Sequence, residues 1–185
     1  MAEYAYKMFN QDLTCTKGKG TYQYKPGVWL EESQANCVRN GFHCAKNPLD
    51  CLSYYGNWDT SQCWLVEIGG DIDEDACDSK IACTRIRLVT RLSLALFVVA
   101  ACKYIIDHPE MPDNHHVQTE EAEANSNHFA IARGKHPKAR GKAGDVIAVL
   151  REAEDCREIM EIGTFRIGQD GFEPDIWYNE RGDAV

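Results

Sequence analysis

The longest apolar stretch in the chain runs from Leu92 to Cys102 and continues through Lys103 to Tyr104, Ile105 and Ile106. Leu92, Leu96, Val99 and Lys103 fall at helical spacing, and Asp107 to Pro109 ends the pattern, so a buried helix is predicted here. The stretch is interrupted and shorter than the roughly 20 apolar residues of a membrane span. Arginines at 85, 87 and 91 precede it without changing that reading. Shorter patterns around it predict strands. Tyr4, Tyr6 and Met8 alternate with Ala5 and Lys7. Cys15 to Gly20 is rich in turn residues, Thr21 to Tyr24 begins another strand, and Pro26-Gly27 breaks it. Asn40-Gly41 is a tight turn into a strand over Phe42 to Ala45. Asn47 then suits a helix N-cap and Pro48 the first helical position, giving a short helix with Leu49, Leu52 and Tyr55 on one face. Cys63 to Ile68 and Ile81 to Val89 predict strands on either side of an acidic loop, Asp71 to Asp78.

The second half is patterned differently. Residues 107–128 carry two prolines, six carboxylates and no Lys or Arg, which predicts a linker. Residues 129–141 read Phe-Ala-Ile-Ala-Arg-Gly-Lys-His-Pro-Lys-Ala-Arg-Gly. Small residues at 130, 132 and 139 alternate with polar ones, and Gly134 and Gly141 close each half. A β-roll coil needs this pattern, with tiny inward side chains and glycine at its corners. A single coil cannot bury its own face, so a stub of this length calls for a neighbouring chain or domain to cover it. Val146 to Leu150, Ile159 to Ile167 and Pro174 to Tyr178 predict further short strands. The expected fold is α+β: a small mixed β-sheet domain with one main helix (1–106), an acidic linker (107–128), and a smaller β-rich unit with a β-roll stub (129–185).

Composition narrows the class without naming an activity. With 44% hydrophobic and 10% aromatic residues, the chain is expected to fold into a packed, soluble protein. Its net charge of −9 disfavours nonspecific nucleic-acid binding, which needs a basic surface. Met1 to Asn10 has neither the basic start nor the apolar core of a secretory leader. With no membrane segment either, a cytoplasmic location is expected. Nine cysteines leave at least one thiol unpaired within the chain. They are expected as reduced, mostly buried thiols, with a cross-chain disulfide compatible with the odd count. The close Cys-x2-Cys pairs of a zinc site are missing, although Cys37, His43 and Cys44 lie near one another in sequence. No metal or cofactor is expected.

Tyr6-Lys-Met-Phe-Asn-Gln-Asp-Leu-Thr-Cys15, followed by Asn40-Gly-Phe-His-Cys-Ala-Lys-Asn-Pro-Leu-Asp50 and Tyr54-Tyr55, resembles an uncharacterised domain common in bacteriophage and prophage proteins. The similarity covers roughly residues 4–105. In that family the domain is usually followed by Ala/Gly/Ser-rich repeats and a closing segment like Pro174-Asp-Ile-Trp-Tyr178. Residues 129–141 resemble the head repeats of trimeric autotransporter adhesins. These resemblances imply a non-enzymatic structural or interaction protein, part of or accessory to a virion, whose partner is another protein or a further copy of itself. They supply no catalytic residues.

Two alternatives stay open. One is an enzyme of the ADP-ribosyltransferase type, with His43, Tyr54 and Glu67 as candidates. In such folds aromatic rings stack on nicotinamide and a glutamate orients the ribose. No residue on the first strand is identified to hold that ribose. The other alternative is an acidic, binding-only inhibitor of a host defence protein. His43 by itself reads as a hydrogen-bonded core histidine. His115-His116 gives too few ligands for a metal, and the acidic run at 71–78 lacks the order of an EF-hand. Arg181-Gly182-Asp183 reads as a chance tripeptide in a terminal tail.

Overall fold

Two folding units divide the chain, Met1–Ser93 and Leu94–Val185. The computed structural model describes residues 2–17, 20–37, 39–74 and 78–185. It is mostly β-sheet with one main helix.

The N-terminal unit is built on a long antiparallel hairpin, β6 (Ser61–Glu74) and β7 (Lys80–Arg91). β1 (Glu3–Asn10) pairs with β6 along its whole length, from Glu3 on Ile68 to Asn10 on Ser61. β5 (Phe42–Ala45) pairs with β7, Phe42 on Cys83 through Ala45 on Lys80. β1 and β5 meet at one position, Tyr6 on Ala45. Together with the β6–β7 pairing, this closes the sheet on itself. β4 (Trp29–Glu31) extends β7 at the edge, while β2 (Thr14–Cys15) and β3 (Tyr22–Gln23) form a separate small ladder. The enclosed core holds Ala5, Phe9, Tyr24, Phe42, Cys44, Val66, Ile81, Cys83, Ile86 and Leu88. Alternation on β1 thus buries Ala5 and Phe9, with Lys7 between them, and leaves Tyr4 half exposed.

Two local features here follow from the sequence. Asn47 caps a 3-10 helix over Pro48–Ser53, its side chain accepting from the Leu49 amide at 3.1 Å. The acidic segment after Ile68, expected as a loop, is instead the far end of β6 as far as Glu74. A register irregularity between Gly69 and Ile72 carries the strand through. Gly70 has φ +75° there, and a side chain on it would collide with the Thr84 hydroxyl. Residues 75–77 of that run, including Cys77, lie outside the described residues.

The C-terminal unit starts with the helix α1 (Leu94–Asp107). The expected boundary after residue 106 is therefore displaced: α1 packs on strands that follow it in sequence. Its buried residues are Phe97, Val98, Ala101, Cys102 and Ile105. Leu96 and Val99, two of the positions that suggested the helix, are 54% and 48% exposed. The run is apolar nearly all round, so periodicity alone does not say which face is covered. The expected linker also contains a strand, β8 (Val117–Glu123). Its glutamates are compatible with a strand because it is an edge, where charged side chains face water.

β8, β9 (Phe129–Arg140), β10 (Val146–Glu152) and β11 (Ile159–Arg166) form one sheet in the order β11-β10-β9-β8. β8, β9 and β10 are mutually parallel, and β11 returns antiparallel. Phe129 stacks edge-on against Phe97 of α1. Ala130, Ala132, Ala139, Ile147, Val149, Ile167 and Tyr178 form the core of the other face. The expected strand over Pro174 to Tyr178 is reduced to isolated bridges of Tyr178, on Ala139 and on Ala184.

Corners between the parallel strands carry the strain. Glu120 and His128 adopt φ of 62° and 63°. Glu120 turns its carboxylate over the next corner, accepting from the Lys135 and His136 amides at 2.8 and 2.9 Å. Gly134 leaves the room for it, since a Cβ there would sit 2.3 Å from a Glu120 oxygen. Arg133 is the buried ionic centre of the unit, its side chain 3% exposed. It donates to Glu152 and Asp113, each at 2.7 Å, and to the carbonyls of Pro109 and Arg157 at 2.7 and 2.9 Å. This network ties residues 109–113 and the β10–β11 connection to the centre of β9. The terminal tail is held by Arg181, which pairs with Glu161 on β11, as does Arg151.

Arg133→Ala removes the buried cation of this network and leaves Asp113 and Glu152 with the more exposed Arg157 alone. It is expected to destabilise the C-terminal unit by about 3–5 kcal/mol in urea unfolding. Arg133→Lys is expected to rescue only part of this, because an ammonium cannot reproduce the planar fork. Hydrogen bonds from Arg181 and Arg151 hold the Glu161 carboxyl down at about 2, against an ordinary value of 4.5. A depressed folded-state value means the stabilisation is fully present above the ordinary value and is lost as pH falls through about 2. Carboxyl NMR titration of Glu161 is expected to show that midpoint, moving back toward 4.5 in Arg181→Ala.

Candidate functional site

A cavity of about 240 Å³ opens in the N-terminal unit where β1 and β5 part company. Because these strands pair at Tyr6 and Ala45 and nowhere else, the chain beyond that point has no ladder to close the gap. Lys7 comes from β1, His43 and Cys44 from β5, and Lys80 from the start of β7. Cys51, Tyr54 and Tyr55 arrive from the capped 3-10 helix and its end. The Asn47 cap and Pro48, legible in the sequence, thus place the tyrosine pair at the cavity.

Its walls are polar in a specific way. Lys7 is 6% exposed and donates to the His43 carbonyl. Its ammonium lies 5.5 Å from the Phe9 ring centre and 5.3 Å from that of Tyr24. Lys80 donates to the Tyr54 hydroxyl at 2.8 Å and lies over the Tyr54 ring. The Tyr55 hydroxyl donates to Cys15 Sγ at 3.2 Å and accepts from the Thr16 amide at 3.1 Å. Burial favours the neutral imidazole of His43, and the nearby Lys7 and Lys80 lower its pKa further. Burial also raises Tyr55, with its hydrogen bond to Cys15 adding to the effect. The Cys44 thiol donates to Cys83, which raises Cys44 and lowers Cys83.

Of the three sequence candidates, the structure brings His43 and Tyr54 together and leaves Glu67 out of the cavity lining. Glu67 lies on β6 opposite Tyr4 and Arg87, and is ion-paired to the Arg87 guanidinium. Sequence reasoning missed Lys7 and Lys80. Each sits beside apolar residues in a strand, which is the only signal they give. Cys37 does not join His43 and Cys44 around a common point: its Sγ faces the Lys80 carbonyl, and its amide donates to Asp73. Among the described residues no group of three or more His, Cys, Asp and Glu is arranged to hold a metal ion. Arg181 of the Arg-Gly-Asp tripeptide is engaged with Glu161, and the Asp183 amide donates to Asn179.

Of the described cysteines, the free thiols Cys44, Cys51, Cys63, Cys83 and Cys102 are buried and that of Cys156 is exposed. Burial pushes Cys51 and Cys102 up to about 12 and Cys63 well above its ordinary value. Alkylation by iodoacetamide near neutral pH, read by peptide mass spectrometry, is therefore expected to modify Cys156 in the native protein. Cys51, Cys63 and Cys102 are expected to react only on unfolding, because the thiolate is the nucleophile and theirs is suppressed.

None of the described helices is long and apolar enough to cross a membrane. No curated protein and no solved structure matches the chain. One family model matches, over residues 4–100, which include the closed sheet, the cavity and the first half of α1. By that match the chain belongs to the family described as Domain of unknown function (DUF7666).

Proposed function

We propose that the chain is a non-enzymatic structural or interaction protein, phage-encoded and part of or accessory to a virion, whose partner is another protein or a further copy of itself. The observation that carries this reading is the parallel stack β8-β9-β10. Parallel neighbours ordinarily need a crossover of a dozen or more residues. Here residues 124–128 and 141–145 suffice between strands. β10 keeps a constant offset on β9, Val146 on Phe129 through Arg151 on Gly134. Such a path suits coils of a β-roll wound around the small residues Ala130, Ala132 and Ala139. The resemblance of residues 129–141 to adhesin head repeats, and of residues 4–105 to a phage and prophage domain, supports placing it in a particle.

β11 covers one side of the stack, and among the described residues no strand pairs with the outer edge of β8. Glu121 and Glu123 mark that edge, paired across the sheet with Lys138 and Arg140 at 3.1 and 2.7 Å. Association is assigned to this edge. Because Ala130 and Ala132 are buried, Glu at those positions would unfold the unit, so the edge charges make the better test.

In light scattering the wild-type protein is expected to be oligomeric. The double variant Glu121→Lys, Glu123→Lys is expected to be monomeric with nearly unchanged thermal stability, since exposed pairs contribute about 0–1 kcal/mol each. A wild-type monomer that is also absent from purified virions would sink this reading. So would consumption of NAD that stops on Glu67→Gln, which would favour the transferase alternative.

A further inference from the structure

Among the described residues no carboxylate is paired with Lys7. The residue is nine-tenths buried, and its described partners are the His43 carbonyl and the rings of Phe9 and Tyr24, all uncharged. Burying an ammonium without a counter-charge is costly, and sites that do so usually receive the anion from elsewhere. The cavity that Lys7 faces is lined by two further lysines, Lys17 and Lys80, and among the described residues by no Asp or Glu. On a chain of net charge −9 this lining is locally basic, although Asp78 lies 3.9 Å from the Lys80 ammonium. Lys17 is exposed and Lys80 is partly exposed, so the positive charge runs from the mouth to the floor.

We propose that this cavity binds a small phosphorylated molecule. Its phosphoryl oxygens meet Lys7 at the floor and Lys80 and Lys17 toward the mouth, and its ring lies against Tyr54 and Tyr55. Lys7 and Lys17, with Lys80 shared with Asp78, match a phosphoryl dianion better than a carboxylate, which carries one charge. The volume of about 240 Å³ lies below the range of drug-sized pockets, so it suits one ring and one phosphoryl group rather than a dinucleotide. Tyr54 is already oriented for this by its bond from Lys80, and Tyr55 by its bonds to Cys15 and Thr16. The site is independent of the assembly reading, since it is built entirely within Met1–Ser93.

The test is calorimetric titration and thermal melting of the full chain with inorganic phosphate, ribose 5-phosphate and acetate, in chloride of matched ionic strength. Phosphate is expected to raise the melting temperature saturably. Ribose 5-phosphate is expected to bind at least tenfold tighter, and acetate to act no better than chloride. Lys7→Met is expected to melt no lower than wild type without ligand, because it removes an uncompensated buried charge, and to lose at least tenfold in affinity for ribose 5-phosphate. If that variant fails to fold, the double variant Lys17→Met, Lys80→Met keeps the Lys7–His43 contact and must show the same loss. No phosphate effect beyond chloride overturns the proposal. So do acetate binding as tightly as phosphate, and unchanged affinity in folded Lys7→Met or in the double variant. Association through β8 is unaffected by any of these outcomes.

Discussion

The N-terminal unit depends on a sheet that closes through a single residue pair. Tyr6 and Ala45 join β1 to β5, and every other pairing in the ring is longer. One consequence is a core reached from two directions, with aromatic rings from β1, β5 and the segment around Tyr24 meeting edge to face inside. A second is that the strands diverge at once on either side of the pair. Beside the pair, Lys7 donates to the His43 carbonyl, which takes an ammonium into the interior. The cavity and its buried charge are therefore two results of one short strand contact.

The C-terminal unit solves a different problem with a similar residue. Arg133 stands in the middle of β9, among alanines and isoleucine, and is as buried as they are. It is tolerated because acceptors from β10 and from the residues on either side of the sheet converge on it. The contrast with Lys7 is chemical. A guanidinium with two carboxylates and two carbonyls is locally neutralised, whereas an ammonium against a carbonyl and two rings is not. One of these cations is complete within the chain, and the other leaves a charge for a ligand to meet.

The two units also expose themselves differently. The first presents its chemistry in a concavity, and the second at a sheet edge whose glutamates are already paired to Lys138 and Arg140. Charged edge residues resist indiscriminate strand addition. Any strand added there would have to displace or share those pairs.

Much of the local structure was legible in the sequence. Phe42 to Ala45 is a strand, Asn47-Pro48 starts a short helix, and the apolar run after Leu92 is helical. These depend on turn chemistry, capping and side-chain volume, all of which act over a few residues. The mixed α+β character follows from the same signals. What the sequence left open depends on which surfaces meet. Leu96 and Val99 carry the helical period yet face solvent, while Val98 and Cys102 are covered. The acidic stretch 117–123 resembles a linker until β9 supplies its partner, and the carboxylates of 71–74 prolong β6 because Gly70 admits a bulge against Thr84. His43 and Tyr54 were candidates by residue type, but their meeting with Lys7 and Lys80, and the diversion of Glu67 to Arg87, are decided by strand register. Register is set by long-range pairing, in which a shift of one residue exchanges the two faces of a strand. The sequence by itself determined the elements set by local turns, caps and apolar runs; the tertiary structure decided the strands over 71–74 and 117–123 and which charges are buried together, because both depend on long-range pairing.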